Sequence, residues 1–244
     1  MLKPKSCPMS PQLLTRWFRN VCWLVQAMSM VLDYIEPLKK KKMKTIMFND
    51  EPYGLTDAVL IGIKTHTRRI VPDSHLKAYE KYKAENKGAA MSLSDFLIRR
   101  GYARFVVGEV VAIAQSYKSI GLSPSFVHAK NDHEKKHHTS TPVGKQAGWN
   151  NKMYVAAEFM PHHIKIIGVR AEKLQSISDE DIAAEGVITI IPGKEYTTCP
   201  TKESAKLLAK SLRGAYQQLI DGVSKKQIFR KNPYVYVFVF ELVD

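Results

Sequence analysis

The chain ends in a strand-forming segment that has no polar face. Residues 234–240 alternate aromatic residues with valine, so large apolar side chains occupy both faces of the predicted strand. Such a strand needs a covering layer on each side, which favours a central position in a sheet. We therefore expect this segment to be a central strand and to close a small β-barrel.

Composition indicates one main domain. The chain has 244 residues, of which 45% are hydrophobic, enough to bury one substantial core and a small appendage. Its three cysteines, Cys7, Cys22 and Cys199, lack CxxC spacing and leave an odd number. Neither a disulfide framework nor a zinc ribbon is indicated, and a reducing, cytoplasmic compartment fits this cysteine usage.

Helical and strand patterns alternate with polar stretches, which predicts an α+β fold with helices at the flank of the barrel. The clearest helix is predicted over residues 203–223, where an apolar stripe of core-packing type is formed by Leu208, Leu212, Ala215, Leu219 and Val223, widened by Leu207, Tyr216 and Ile220. A strand with a bulge at Gly168 is predicted from residue 164 onward. Polar insertions are expected at about 72–100, mostly helical, and at about 118–150.

Residues 1–42 form an N-terminal extension, and the domain proper covers 43–244. The apolar stretch 21–32 is too short to span a bilayer, and no small-residue cleavage site follows it, so we expect neither a membrane anchor nor export. The lysine run at 39–42 stands directly before Met43. It leaves two interpretations open, an amphipathic appendage with a basic tail or a translated ribosome-binding region upstream of the true start.

The second insertion contains His133-Glu134-Lys135-Lys136-His137, which matches the H-E-x-x-H zinc pattern. Zinc chemistry would require a helix buried against a third ligand. The stretch lacks apolar positions for such burial, its lysines would place positive charge beside the metal, and a proline follows at 142. We expect a solvated loop, with no metal and no cofactor.

Polar donors are concentrated at residues 62–71, after the apolar run 55–61. We expect a helix begun near Thr56, as its N-cap, to stop at Gly62, so that Lys64 and Thr67 lie at a helix-to-strand turn. A partly desolvated lysine amine next to a threonine hydroxyl can act as its base. The alternative is that the lysine and its neighbours Arg68 and Arg69 are solvated or phosphate-binding cations.

A second candidate group is Glu185. Ser178-Asp-Glu-Asp181 resembles a capping box, and Gly186 is a natural stop, which predicts a short helix at about 179–185. A carboxylate at the C-terminal end of a helix is disfavoured by the helix dipole and tends to hold its proton longer. This placement suits a general acid or proton relay, whereas the alternative is a solvated glutamate.

Three segments together resemble a known family. Gly62-Ile63-Lys64-Thr65-His66-Thr67-Arg68 resembles the G-x-K-T-x-T-x-R signature of ASCH domains, relatives of the RNA-binding PUA fold. Residues 174–187 resemble the segment after the middle strands of the phage and bacterial type, and residues 232–241 resemble its closing strand. The similarity covers roughly residues 47–71, 102–115 and 153–244.

The resemblance implies a PUA-like barrel with a pocket that takes RNA or a modified nucleoside. Some small bacterial ASCH proteins are amidohydrolases that remove the acyl group from N4-acetylcytidine with a lysine, a threonine and a glutamate. By motif, these roles fall on Thr67 as nucleophile, Lys64 as its base and Glu185 as proton relay. This chain is over twice as long as those enzymes, so our first expectation is a module that binds RNA or a modified nucleoside without turnover, and the amidohydrolase is the alternative.

The charge is compatible with a polyanionic partner. The formal net charge is +14; residues 1–46 hold nine Lys or Arg and two acidic residues, which leaves +7 for the rest of the chain. Lysine and arginine clusters release counterions when they bind phosphates. For the binding function the candidate contacts are Lys64, Arg68, Arg69 and Lys165, with RNA or a nucleoside as partner and no membrane. The oligomeric state is left open.

Overall fold

The structure is a computed structural model that describes residues 42–86, 91–124, 142–200 and 203–243. Met43–Asp244 forms one compact unit. The predictions for the N-terminal extension, apart from Lys42, and for the His133–His137 pattern lie outside the described residues.

The described residues form six α-helices and eight strands, and the α+β prediction is confirmed. The helices are α1 (Leu55–Leu60), α2 (Asp73–Glu85), α3 (Leu93–Arg99), α4 (Asp179–Ala184), α5 (Leu212–Ser224) and α6 (Ile228–Lys231). The strands are β1 (Thr45–Ile46), β2 (His66–Ile70), β3 (Val110–Ile113), β4 (His163–Lys173), β5 (Ile188–Ile191), β6 (Glu195–Thr197), β7 (Lys206–Leu208) and β8 (Tyr234–Leu242). Within the described ranges, no helix is long and apolar enough to cross a membrane.

The strands form two sheets. The larger has the order β1-β3-β4-β8-β2, in which β1 and β3 are parallel and the other neighbours are antiparallel. The smaller is antiparallel, in the order β5-β6-β7. Among the described residues β1 and β2 are the two edges of the five-stranded sheet, and barrel closure stays a prediction.

The final strand is central, as its apolar pattern predicts. β8 lies between β4 and β2, and residues 235–238 and 240 are buried. Phe238 packs edge-on against Phe105, with ring centroids 5.2 Å apart, and Phe240 packs against Phe48 at 5.6 Å. The rings of Phe105 and Phe48 therefore cover part of β8, and β4 and β2 form hydrogen bonds with its two edges.

The helix predicted over residues 203–223 is wrong over its first nine residues. Residues 203–205 form a 3-10 turn and residues 206–208 form β7, which pairs with β6; the helix begins only at Leu212. Ser211 is its N-cap, with the hydroxyl accepting from the Gly214 amide. Leu208 is 68% exposed, because strand alternation buries Leu207 and turns its neighbour to solvent.

Both predicted insertions pack onto the rest of the unit where they are described. In the first, the helical prediction is confirmed by α2 and α3, and His75 Nδ1 lies 2.9 Å from the hydroxyl oxygen of Tyr236 on β8. In the second, Ile120, Leu122 and Trp149 pack against a small buried cluster that contains Tyr117, whose hydroxyl accepts a 2.8 Å hydrogen bond from the Ala156 amide. The predicted bulge in β4 is confirmed by a register shift between Ile166 and Gly168.

Candidate functional site

The end of α1 places Lys64. Gly62 has φ +77°, and the amides of Ile63 and Lys64 both donate to the Ala58 carbonyl oxygen at 2.9 Å, which closes the helix. The predicted stop at Gly62 is confirmed. The predicted cap at Thr56 is wrong, because Gly54 holds the N-cap position and Thr56 lies inside the helix.

Glu185 is placed by α4. The Ser178 hydroxyl accepts from the Asp181 amide at 3.1 Å, so the predicted N-terminus of this helix is confirmed. After the helix, Gly186 adopts φ +98°. The Thr65 amide donates to the Ala184 carbonyl oxygen at 2.8 Å, and this backbone contact brings the end of α4 against the start of β2.

Lys64 and Glu185 meet in a buried ion pair. The Lys64 Nζ lies 2.5 Å from Glu185 Oε2 and donates also to the Glu185 backbone carbonyl oxygen at 2.8 Å. Lys64 is 2% exposed and Glu185 is 3% exposed. Burial lowers the pKa of the Lys64 ammonium below its ordinary value, and the opposing charge of Glu185 does not reverse that shift. The amine is therefore easier to deprotonate than an ordinary lysine.

Arg68 links Glu185 to two further carboxylates. Its guanidinium donates to Glu185 Oε1 at 3.1 Å, to Glu172 Oε1 at 2.7 Å and to Asp181 Oδ2 at 2.6 Å. Burial on its own would lower the pKa of Arg68, but the charge of Glu185 and the hydrogen bonds to the other two acids raise it. A buried guanidinium with three carboxylate partners orients those partners and is not a free phosphate contact.

Arg170 and His66 complete this cluster. Arg170 donates to Asp181 and, at 3.1 Å, to Glu172 Oε2. The His66 Nε2 is 3.8 Å from Asp181 Oδ1, and its Nδ1 is 3.0 Å from Thr65 Oγ1. Burial lowers the pKa of the His66 imidazole, which is therefore neutral at neutral pH. In the described part of the chain, no group of three or more His, Cys, Asp or Glu is arranged to hold a metal ion.

Thr67 is a buried residue of β2, three positions after Lys64. It is 4% exposed, and its hydroxyl makes no hydrogen bond to another described residue. Alternation along β2 puts Thr67 on the same strand face as Arg69 and on the opposite face from Arg68. Arg68, which donates to Glu185, therefore lies on the strand face opposite Thr67.

The four candidate nucleic-acid contacts differ in exposure. Lys64 and Arg68 are buried in ion pairs, whereas Arg69 is exposed and donates to the Met47 carbonyl oxygen. Lys165 is on β4, 47% exposed, and lies 4.0 Å from Glu241 on β8. The structure therefore brings Lys64, Arg68 and Glu185 together and leaves Arg69 and Lys165 as surface cations.

Sequence reasoning did not assign three members of the cluster. Arg170 and Glu172 lie two residues apart on β4, so their side chains fall on the same face of the strand. This spacing is the sequence signal that could have identified them. Asp181 belongs to the predicted capping box, and its amide donates to the Ser178 hydroxyl that caps the helix; its carboxylate accepts from Arg68 and Arg170. Arg68 pairs with Glu172 and Asp181 across more than a hundred residues, and such pairing leaves no pattern in the local sequence.

Comparisons with known proteins return no match: no family model, no curated protein and no solved structure matches the chain. The resemblance to ASCH domains stays a prediction from the three sequence segments.

Proposed function

We propose that the protein is a PUA-like, ASCH-type amidohydrolase that binds an N4-acylated cytidine, free or within RNA, and hydrolyses its amide bond. The observation that carries the proposal is the buried contact between Lys64 and Glu185, at 2.5 Å, with a buried Thr67 three positions after Lys64. These are the three residue types that the ASCH resemblance associates with deacylation. The substrate class comes from that resemblance.

In the proposed reaction, the Thr67 Oγ attacks the carbonyl carbon of the acyl group while the Lys64 amine accepts the hydroxyl proton. The tetrahedral intermediate collapses as its C–N bond breaks, and the departing amine receives a proton through Glu185. An ester of Thr67 remains. Water hydrolyses this ester, which releases the carboxylic acid and restores the hydroxyl.

The electrostatics of the site support these roles. The lowered pKa of Lys64 means that its ammonium loses a proton more easily than that of an ordinary lysine, which suits a base. Arg68 holds one oxygen of Glu185 while Lys64 holds the other, so the carboxylate has a fixed orientation next to the amine. The hydroxyl of Thr67, which has no hydrogen-bond partner among the described residues, is free to approach a ligand.

A second candidate function is RNA binding without turnover. It is favoured by a separate observation, the exposure of Arg69 and Lys165 on a chain of net charge +14. Exposed cations of this kind contact phosphates and give affinity that depends on salt. This candidate needs no nucleophile.

Turnover of N4-acetylcytidine, followed by chromatography, tests the hydrolase. We expect Thr67→Val, which removes the hydroxyl but keeps the side-chain shape, to slow turnover by about 10³-fold or more. Lys64→Ala should have a similar effect, and the double variant should be hardly slower than either single one, because residues that act as a unit lose their effect together.

The matched control is Thr189→Val, a change of the same type at an exposed position on β5. It should leave turnover unchanged. Full activity in Thr67→Val would remove the nucleophile assignment, and absence of turnover by the native protein would remove the hydrolase.

A further inference from the structure

Among the described residues, β1 has one free edge. On its other side, the carbonyl oxygens of Lys44 and Ile46 accept from the amides of residues 112 and 114, at 3.0 and 2.8 Å. Because carbonyl groups alternate in direction along an extended strand, those of Thr45 and Met47 point away from β3. A free edge of this kind presents backbone acceptors to whatever lies beside the sheet.

Two arginines occupy this edge. The Arg104 guanidinium donates to the Thr45 carbonyl oxygen at 3.2 Å, and the Arg69 guanidinium donates to that of Met47. Arg69 comes from β2, at the opposite edge of the five-stranded sheet, whereas Arg104 precedes β3. The two acceptors are two residues apart, roughly 6 to 7 Å along an extended strand. The backbone of β1 therefore sets the spacing of the two guanidiniums.

These contacts orient the guanidiniums without using all of their donors. Each guanidinium has five N–H groups, and the described part of the chain accepts from one nitrogen of each. The Arg104 guanidinium also lies over the Phe105 ring, 5.3 Å from its centroid. Side chains held in this way lose little further freedom when a ligand binds.

The edge keeps a local excess of positive charge. Both arginine residues are exposed, and among the described residues neither pairs with a carboxylate, unlike Arg68 and Arg170. The Lys44 ammonium donates to the Arg104 carbonyl oxygen and pairs with Glu109 at 3.0 Å, so that pair adds no net charge. Two charged guanidiniums therefore remain for an anionic ligand.

The geometry of the pair favours a phosphodiester chain. The forked donors of arginine match the oxygens of a phosphate. Consecutive phosphates of an extended nucleic-acid strand have a spacing similar to that of the two carbonyl acceptors, and every nucleotide supplies one. Arg69 and Thr67 are two residues apart on β2, so their side chains share a strand face. A phosphate bound by Arg69 places the ligand on the face that holds the candidate nucleophile.

We propose that Arg69 and Arg104 bind two neighbouring phosphates of an RNA strand, so that the ligand is a nucleotide within RNA and not a free nucleoside. The inference rests on the proposed function for the acylated base alone, because the phosphate contacts require no turnover. Of the two arginines, Arg104 is assigned to the ligand by the structure and not by any sequence motif.

Binding of a short labelled oligocytidylate, followed by fluorescence anisotropy, tests the pair. Arg104→Gln removes one charge but keeps an amide that can donate to the Thr45 carbonyl oxygen. It should weaken binding about tenfold, as the loss of a hydrogen bond to a charged group does, and Arg69→Gln should do the same. Arg99→Gln, at an exposed position on α3, is the matched control and should keep the native affinity.

Two further comparisons test the geometry and the ligand class. The double variant Arg69→Lys with Arg104→Lys keeps the charge but loses both forks, so it should bind the oligonucleotide less tightly than the native protein. Unlabelled oligocytidylate should displace the probe, whereas poly-glutamate at the same charge concentration should not. Thermal midpoints show whether each variant is folded, and the lysine variant provides the test if a glutamine variant is not.

Native affinity in both folded glutamine variants would limit the two arginines to capping β1 and would overturn the proposal. Native affinity in the lysine variant, or displacement by poly-glutamate, would overturn it by showing that charge alone is recognised. Binding that the variants weaken, in a protein that does not hydrolyse acylated cytidine, would support the pair while the hydrolase fails. Turnover of free N4-acetylcytidine without oligonucleotide binding would give the reverse result.

Discussion

Lys64 and Lys165 are both lysines paired with glutamate, and they differ in burial. The first is enclosed with Glu185 at 2.5 Å, whereas the second lies on the surface 4.0 Å from Glu241. From sequence, both were predicted as phosphate contacts, because residue type and spacing carry no information on which partner arrives from a distant segment. Burial decides their energetics: removing one member of a buried pair leaves a charge without its partner, and an exposed pair contributes little.

We expect Lys64→Met to lower the free energy of unfolding by about 3 kcal/mol, at the lower end of the range for broken buried pairs, because Arg68 still contacts Glu185. Lys165→Met is the control and should change it by less than about 1 kcal/mol. Urea unfolding of both variants measures the difference. Equal losses would contradict the assignment of Lys64 to a buried ion pair.

A residue-scale prediction on pH concerns Asp181. Burial raises the pKa of this carboxyl, but the hydrogen bond from Arg68 and the charge of Arg170 outweigh it, and the net shift is downward. The folded pKa thus lies below the unfolded value of about 3.9. The carboxylate stabilises the fold fully above that value, and its contribution is lost as the pH falls through the folded pKa.

Asp181→Asn should therefore be less stable than the native protein at neutral pH, and the gap should close as the pH falls below about 4. Unfolding midpoints of the two proteins across a pH series provide the measurement. A gap that stays constant with pH would mean that the charge of Asp181 is not what Arg68 and Arg170 recognise.

At the scale of secondary-structure elements, the predictions that depend only on neighbouring residues are correct. The cap at Ser178, the bulge before Gly168 and the central position of β8 all follow from neighbouring residues, and all three are confirmed. The helix prediction is wrong at residues 203–211, because the spacing of the leucines there fits a short strand followed by a turn as well as it fits a helix. Pairing of β7 with β6 decided between the two, and pairing depends on residues elsewhere in the chain.

The turn after α4 fixes how Glu185 meets Lys64. Gly186 has φ +98°, and a Cβ at this position would lie 3.3 Å from the Lys64 Cβ. We expect Gly186→Ala to destabilise the protein by about 2 kcal/mol, from the left-handed backbone and from displacement of the lysine stem. Gly144→Ala is the control, because nothing lies within 4 Å of an added Cβ there. If thermal unfolding shows the same midpoint for both, the turn does not constrain the ion pair.

At the scale of the whole molecule, the candidate site is formed by residues that are far apart in the sequence. Lys64 and Glu185 are 121 positions apart, and only the family resemblance predicts them together; nothing in the sequence assigns Glu172 or Arg170 to the site. Chain order carries no distance information across such separations. The fold supplies it through the backbone contact between Thr65 and Ala184 and through the charge network that follows.

The overall charge leads to the last prediction, which concerns RNA. With Lys64 and Arg68 enclosed in ion pairs, the candidate cations left for phosphate contacts are Arg69 and Lys165. If the chain binds single-stranded RNA, affinity should fall linearly with salt on a logarithmic plot, and Arg69→Ala or Lys165→Ala should each reduce the slope by about 0.7.

Lys81→Ala, an exposed change on α2, is the control and should keep the slope. Fluorescence anisotropy of a labelled oligonucleotide across a potassium chloride series measures all four proteins. A salt-independent affinity, or equal slopes in all of them, would show that these two cations do not contact phosphate.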